Sequence, residues 1–126
     1  MHDLANHLAT LETLLERPGA HTRGVLARNA SGEKVAALDS DATCWCLLGG
    51  IVKVTGKWNM HETLCANMIH ALFEAMPDYA VIMTDGNEID EEATVFEFND
   101  SQTTERCMAL IRRAREQVTH GTTAQP

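Results

Sequence analysis

The stretch from Cys44 to Val54 constrains this chain more than any other part of it. Cys44, Trp45, Cys46, Leu47, Leu48, Ile51, Val52 and Val54 leave almost no polar face on residues 42–55. A helix without a polar face belongs inside a core, so these residues are expected to form the central, buried helix. Gly49 and Gly50 weaken helix propensity, and their place in this stretch predicts a close approach by another helix. Gly56 suits the C-cap. The longest apolar run, Cys44 to Val52, is broken by the glycine pair and falls short of the ~20 residues a membrane span needs.

Around this centre the chain supplies amphipathic helices. Leu4, Leu8, Leu11 and Leu15, widened by Leu14, predict a helix over residues 2–16, capped by Asp3 and stopped at Pro18-Gly19. A helix from about Met60 to Met76 carries Leu64, Met68, Leu72 and Ala75 inward, with Ile69 and Phe73 beside them. Asn59 is its expected cap, Glu62 the capping-box partner, and Pro77-Asp78 its end. A last helix, from about Thr103 to Val118, turns Cys107, Leu110, Ile111, Ala114 and Val118 inward, with Asn99, Asp100 or Ser101 as its cap.

The remaining segments read as non-helical. Residues 24–28 and 33–38, joined by Asn29-Ala30-Ser31-Gly32, predict a small β-hairpin. Asp39, Ser40 and Asp41 offer caps for the central helix. Tyr79 to Met83 suits a strand or a continuation of the preceding helix, Asp85-Gly86-Asn87 a turn, Glu88 to Glu92 an acidic loop, and Val95 to Phe98 a brief extended piece. The expected fold is therefore α+β, mainly α: about four helices around a central apolar helix, with a small hairpin. It forms one domain over residues 1–118 with a flexible tail over 119–126.

Composition narrows the function. With 44% apolar and 22% charged residues among 126, the chain can bury a core and is not of the disordered class. Its formal net charge of -8 argues against direct binding to a nucleic-acid backbone and fits a soluble protein or one that docks on a basic surface. The start, Met1-His2-Asp3-Leu4, has neither the basic nor the apolar region of a secretory signal, so Cys44, Cys46, Cys65 and Cys107 are expected as free thiols in the cytoplasm.

Three segments taken in order, Thr22 to Arg28, Cys44 to Gly50, and Phe98-Asn99-Asp100, resemble a small domain family of unknown function found in bacteria and their phages. That family shows a threonine- and glycine-bearing segment ending in Ala-Arg, a Trp-Cys-x-x-Gly core helix, and Asn-Asp before a C-terminal helix. His21 stands where the resemblance expects a tryptophan, and Gly50 where it expects alanine. The resemblance implies a fold unit and a phage or prophage setting, and carries no activity.

Several constellations bear weighing. Cys46 near a helix start, with His21, His61 or His70 as base and Asn99 or Asp100 to orient it, has the parts of a cysteine catalytic set. A small buried apolar Cys46 beside Trp45 is the simpler reading. His61 and Cys65 share a helix face, with Cys44 and Cys46 in reach of a Cys3His set, but Cys-x-Cys in a helix points its thiols apart, so no metal and no cofactor is expected. Arg23 and Arg28 on a strand edge suit a phosphate or carboxylate, or pairing with the chain's own acids. Asp85, Glu88, Asp90, Glu91 and Glu92 lack the calcium-loop order and suit a solvated loop or an acidic docking surface.

The leading expectation is a non-enzymatic protein-binding module of phage type. It would modulate or inhibit a host protein, as in anti-defence, and a basic nucleic-acid-binding protein fits its charge. The alternatives are a small enzyme built on Cys46, and a ligand-sequestering protein with Arg23, Arg28 and Trp45 or Trp58 lining a pocket. Neither direct nucleic-acid nor membrane binding is expected.

Overall fold

A computed structural model describes residues 2–57, 62–76 and 82–120. The first helix, α1 (His2–Glu16), buries Leu8, Leu11 and Leu15 completely, and Gly19 at φ +78° turns the chain after it. The next residues run beside Trp45: its N–H donates to the Ala20 carbonyl at 2.8 Å, and its carbonyl accepts from the Thr22 N–H at 3.0 Å. The hairpin follows as β1 (Ala27–Asn29) and β2 (Lys34–Val35), shorter than expected at both strands.

Residues 42–46 depart from the expected helix. Ala42–Trp45 is a third strand, β3, antiparallel to β1 on the side away from β2, giving the order β2-β1-β3. The helix proper, α2 (Leu47–Thr55), starts after Cys46, whose extended backbone and thiol, accepting from the Gly49 N–H at 3.3 Å, form its N-cap. A short apolar run has the same composition in a buried strand as in a buried helix, and here pairing with β1 decides it. Asp39 therefore caps no helix; its side chain accepts from the Asp41 N–H in the turn before β3. The premise that Cys44 and Cys46 share a helix falls with it.

From Leu47 to Val52 every residue of α2 is buried, and Gly56 at φ +72° closes it as expected. Both glycines mark close approaches, but of different kinds. At Gly50 the neighbour is α1: an added Cβ would lie 2.6 Å from Leu11 Cδ1 and 3.3 Å from Leu15 Cδ1. At Gly49 the neighbour is backbone, because the Leu26 carbonyl sits where a Cβ would stand.

The next helix, α3 (Thr63–Ala75), buries Cys65, Met68, Ile69, Ala71, Leu72 and Ala75, and is capped by Glu62, which accepts from the Leu64 N–H at 3.0 Å. The expected turn at Asp85-Gly86-Asn87 brings Met83 opposite Ile89 in an isolated antiparallel bridge.

Residues 91–101 supply the second correction. Glu91–Ser101 is a helix, α4, absorbing part of the expected acidic loop and the whole expected extended piece. Asp90 caps it, accepting from the Ala93 N–H at 2.9 Å, and Glu91 and Glu92 lie at the positive end of its dipole. Val95 and Phe98, one turn apart, then face the core together. Asn99, Asp100 and Ser101 consequently end α4 instead of capping the next helix. That helix, α5 (Thr104–His120), starts at Thr103, whose hydroxyl accepts from the Arg106 N–H at 3.1 Å. It runs two residues past the expected Val118 and packs along α1, where the buried Glu12 meets Arg112 at 2.6 Å and Arg115 at 2.9 Å.

The described architecture is thus mainly α, with five helices and a three-stranded antiparallel sheet. Among the described residues no helix is long and apolar enough to cross a membrane, and the four cysteines are free thiols. The side chain of Asp3, together with Trp58, Asn59, Met60, His61, Pro77, Asp78, Tyr79 to Val81 and the tail from 121, lies outside the described residues.

Candidate functional site

His21, Arg23, Arg28 and Asp100 come together around the buried Asn99, themselves partly exposed. Asn99 is fully buried in the last turn of α4. Its Oδ1 accepts from the Leu47 N–H at 3.0 Å and from His21 Nε2 at 2.7 Å; its Nδ2 donates to the Thr22 carbonyl at 3.1 Å and to Asp100 Oδ1 at 3.2 Å. All four hydrogen-bonding positions of the amide are thereby filled. Since Leu47 N–H can only donate, the Asn99 oxygen is fixed as the acceptor, and His21 must carry its proton on Nε2. Its Nδ1 then accepts from the Thr104 hydroxyl at 2.8 Å. Burial holds the His21 pKa below its ordinary value, with Arg23 acting in the same direction; the Asn99 hydrogen bond and Asp100 oppose both.

Asp100 extends the cluster by accepting from the Gly24 N–H at 2.9 Å. Arg23 donates through Nε and Nη2 to the Gln102 carbonyl, and Arg28 donates to the Thr22 hydroxyl and to the carbonyls of Gly32 and Arg23, each at 3.1 Å. Neither arginine is paired with a carboxylate among the described residues; both tie down loop backbone. The result is a polar junction joining residues 21–24, the start of α2, the end of α4 and the start of α5. The three segments quoted for the family resemblance meet at or beside it.

Cys46 lies beside this junction without the environment of a nucleophile. It is fully buried, and burial pushes its thiol up to about 11, although the Gly49 and Leu48 N–H groups pull the other way. Both His21 nitrogens are engaged by Asn99 and Thr104, so this histidine has no nitrogen left for the thiol. His70 stands elsewhere, on the surface of α3, 3.0 Å from Glu91. The nearby Cys107 is buried too, and pushed up to about 12 by burial. Among the described residues no group of three or more His, Cys, Asp or Glu side chains is arranged to hold a metal ion.

Trp45 is buried, donating Nε1–H to the Ala37 carbonyl at 2.9 Å, with Lys53 Nζ 5.8 Å from its ring centre. The open cleft beside it, of about 530 Å³, is flanked by Arg17 and Lys53, and Arg23 and Arg28 do not line it.

The acidic candidates divide. Asp90 caps α4 and Glu91 meets His70, whereas Glu88 and Glu92 are exposed. Glu92 and Asp90 border a groove of about 390 Å³ between α4 and the Leu26 loop, lined also by Leu26, Leu48, Ala93 and Phe96. Leu26 is 37% exposed there. Close to Asp90, whose N–H donates to the Ile82 carbonyl, Ile82, Met83 (48%) and Ile89 (50%) are exposed as well. From residue 82 to 105 the chain has eight Asp or Glu and no Lys or Arg. Leu26 and Phe96 were not apparent as site residues in the sequence, because both sat in pieces read as strands, whose facing local pattern does not reveal.

Fold and site together define a small α+β domain with a hydrogen-bonded polar junction built around a buried asparagine and an acidic, apolar-walled groove on its surface. The sequence model of DUF6197, a family of unknown function, matches residues 1–117, and the chain belongs to that family. No curated protein and no solved structure matches it.

Proposed function

We propose that this protein is a non-enzymatic, cytoplasmic protein-binding module that modulates or inhibits a host protein through the acidic face at the start of α4. The observation that carries the reading is the coincidence of a segment rich in acids and without Lys or Arg, residues 82–105, in which Glu88 and Glu92 are exposed, with the exposed apolar side chains Leu26, Met83 and Ile89. Exposed apolar groups rimmed by charge of one sign are the composition of a contact surface, and the charge selects a basic partner. A basic nucleic-acid-binding protein of the host has the complementary surface.

The reading is tested by placing a photo-crosslinking residue at Ile89 and, separately, at the exposed Glu16 on α1, and exposing each protein to host lysate. Capture of one defined protein from position 89 and not from position 16, weakened at high salt, is the expected result. Equal capture from both positions, or none, contradicts it.

A further inference from the structure

The groove between Leu26 and α4 allows the partner to be described more closely, on the basis of the protein-binding reading above. We propose that this groove seats a basic, amphipathic segment of the partner, with an apolar side chain between Leu26 and Phe96 and cations over Glu92, Glu97 and Glu88.

Three observations support that occupant. The first is the shape and lining. A space of about 390 Å³ has Leu26 and Phe96 as partly exposed walls, with the buried Leu48 and the half-buried Ala93 also lining it. It suits one or a few apolar side chains arriving on a larger backbone, as in the seating of an amphipathic segment in a groove.

The second is the distribution of charge. Asp90 and Glu91 are already engaged, one as the cap of α4 and the other with His70. Glu92 on the rim, Glu97 one turn beyond Ala93, and Glu88 before the helix are exposed, and no cationic side chain of residues 82–105 stands among them. Positive charges flanking an apolar anchor match this pattern.

The third is rigidity. The Leu26 backbone is pinned on both sides: its carbonyl rests on Gly49 and accepts the Cys46 N–H at 3.1 Å, while Ala27 pairs with both Val35 and Trp45. The wall is therefore held in place before a partner arrives, which lowers the cost of ordering on binding. The glycine at position 49 thus has a consequence beyond the core, since it lets the Leu26 loop sit close enough for its side chain to face α4.

The test uses the full chain, 15N-labelled, titrated with a synthetic amphipathic peptide of leucine and lysine and with its counterpart carrying glutamate for every lysine. The lysine peptide is expected to shift the amides of Leu26, Glu92, Ala93 and Phe96, and the glutamate peptide to shift none. The double substitution E92K/E97K is expected to weaken binding by about tenfold or more, as removal of complementary charge does. Leu26→Ser, which changes a partly exposed wall, should weaken it several-fold with the amide spectrum otherwise retained. Asp41→Lys, at an exposed site in the turn before β3 that does not line the groove, serves as the charge control and should matter little.

Absence of binding by the lysine peptide, shifts centred on other residues, or equal losses from Asp41→Lys and E92K/E97K overturn the proposal. Failure here is distinct from failure of the broader reading. Crosslinks from position 89 to one partner, with peptide shifts elsewhere, retain the protein-binding module and remove the groove.

Discussion

The polar junction around Asn99 and the groove beside Leu26 share a stretch of chain, yet they treat their polar groups in opposite ways. At the junction the Asn99 amide has all its partners, both His21 nitrogens are engaged, and the two arginines cap carbonyls. At the groove, the Glu92 carboxylate and the Leu26 and Phe96 side chains are wholly or partly exposed on a wall that the backbone holds in place. Leu26 belongs to both, its backbone fixed beside the junction and its side chain in the groove wall. Chemically suggestive residues gathered in one place thus do not by themselves make a reactive site. Saturated hydrogen bonding marks a structural element, whereas the proposed docking rests on exposed apolar side chains beside exposed charge.

The comparison is sharpest where one atom is added. Gly49→Ala drives a Cβ into the Leu26 carbonyl, which is backbone and cannot turn aside, and should cost about 4 kcal/mol in urea denaturation. Gly50→Ala meets only the ends of Leu11 and Leu15, and gains about 1 kcal/mol of helix propensity, so its net effect should stay within about 1 kcal/mol of zero. Equal losses at the two positions would show that the Leu26 loop is not pinned as described.

Asn99→Ala comes next. It strands the buried Leu47 N–H and the His21 Nε2–H, and should cost about 3 kcal/mol by the same measurement. A cost below about 1 kcal/mol would mean that water satisfies these groups and that the junction is open.

The pH dependence of stability follows with a smaller effect. His21 has a folded-state pKa below its ordinary 6.5, so the unfolded chain takes up the proton first. Its contribution is fully present above pH 6.5 and is lost as pH falls from there through the lower folded value. His21→Gln should flatten that part of the stability profile relative to the parent chain; an unchanged slope counts against the assignment. Cys46 works in the opposite direction: raised from 9.0 to about 11, it contributes stability below pH 9 that is lost as pH rises through 11.

The smallest expected effect on folding lies at the groove. Glu92→Lys, which also reverses a charge at the positive end of the α4 dipole, should shift stability by no more than about 1 kcal/mol while it weakens the proposed salt-sensitive binding. A large loss of stability would place Glu92 among the structural residues with Asp90.

These outcomes bear on what the sequence makes legible. The stripes of α1, α3 and α5 are long enough for their period to show, and Gly56 announces its own turn. Residues 42–46 are not legible, because a short run whose one hydroxyl residue is Thr43 shows no clear period, and only pairing with β1 makes Ala42–Trp45 a strand. Asn99 was misread for a different reason. Asparagine before a helix looks like a cap by local chemistry, whereas its partners lie at residues 21, 22 and 47, a tertiary arrangement that no local pattern encodes. The acidity of residues 85–92 is visible at once, but not that Asp90 and Glu91 are taken up by α4 and His70, nor that Leu26 lies across from Glu92.

The motif-bearing junction is packing, with the Asn99 amide saturated and the Cys46 thiol buried. Timed alkylation of the native protein at neutral pH, mapped cysteine by cysteine, tests it most directly. The half-buried Cys44 should react first, and Cys46 only as fast as the protein unfolds, its thiol being buried and protonated. Rapid modification of Cys46 in the folded protein, ahead of Cys44, would contradict the account and return the junction to chemistry.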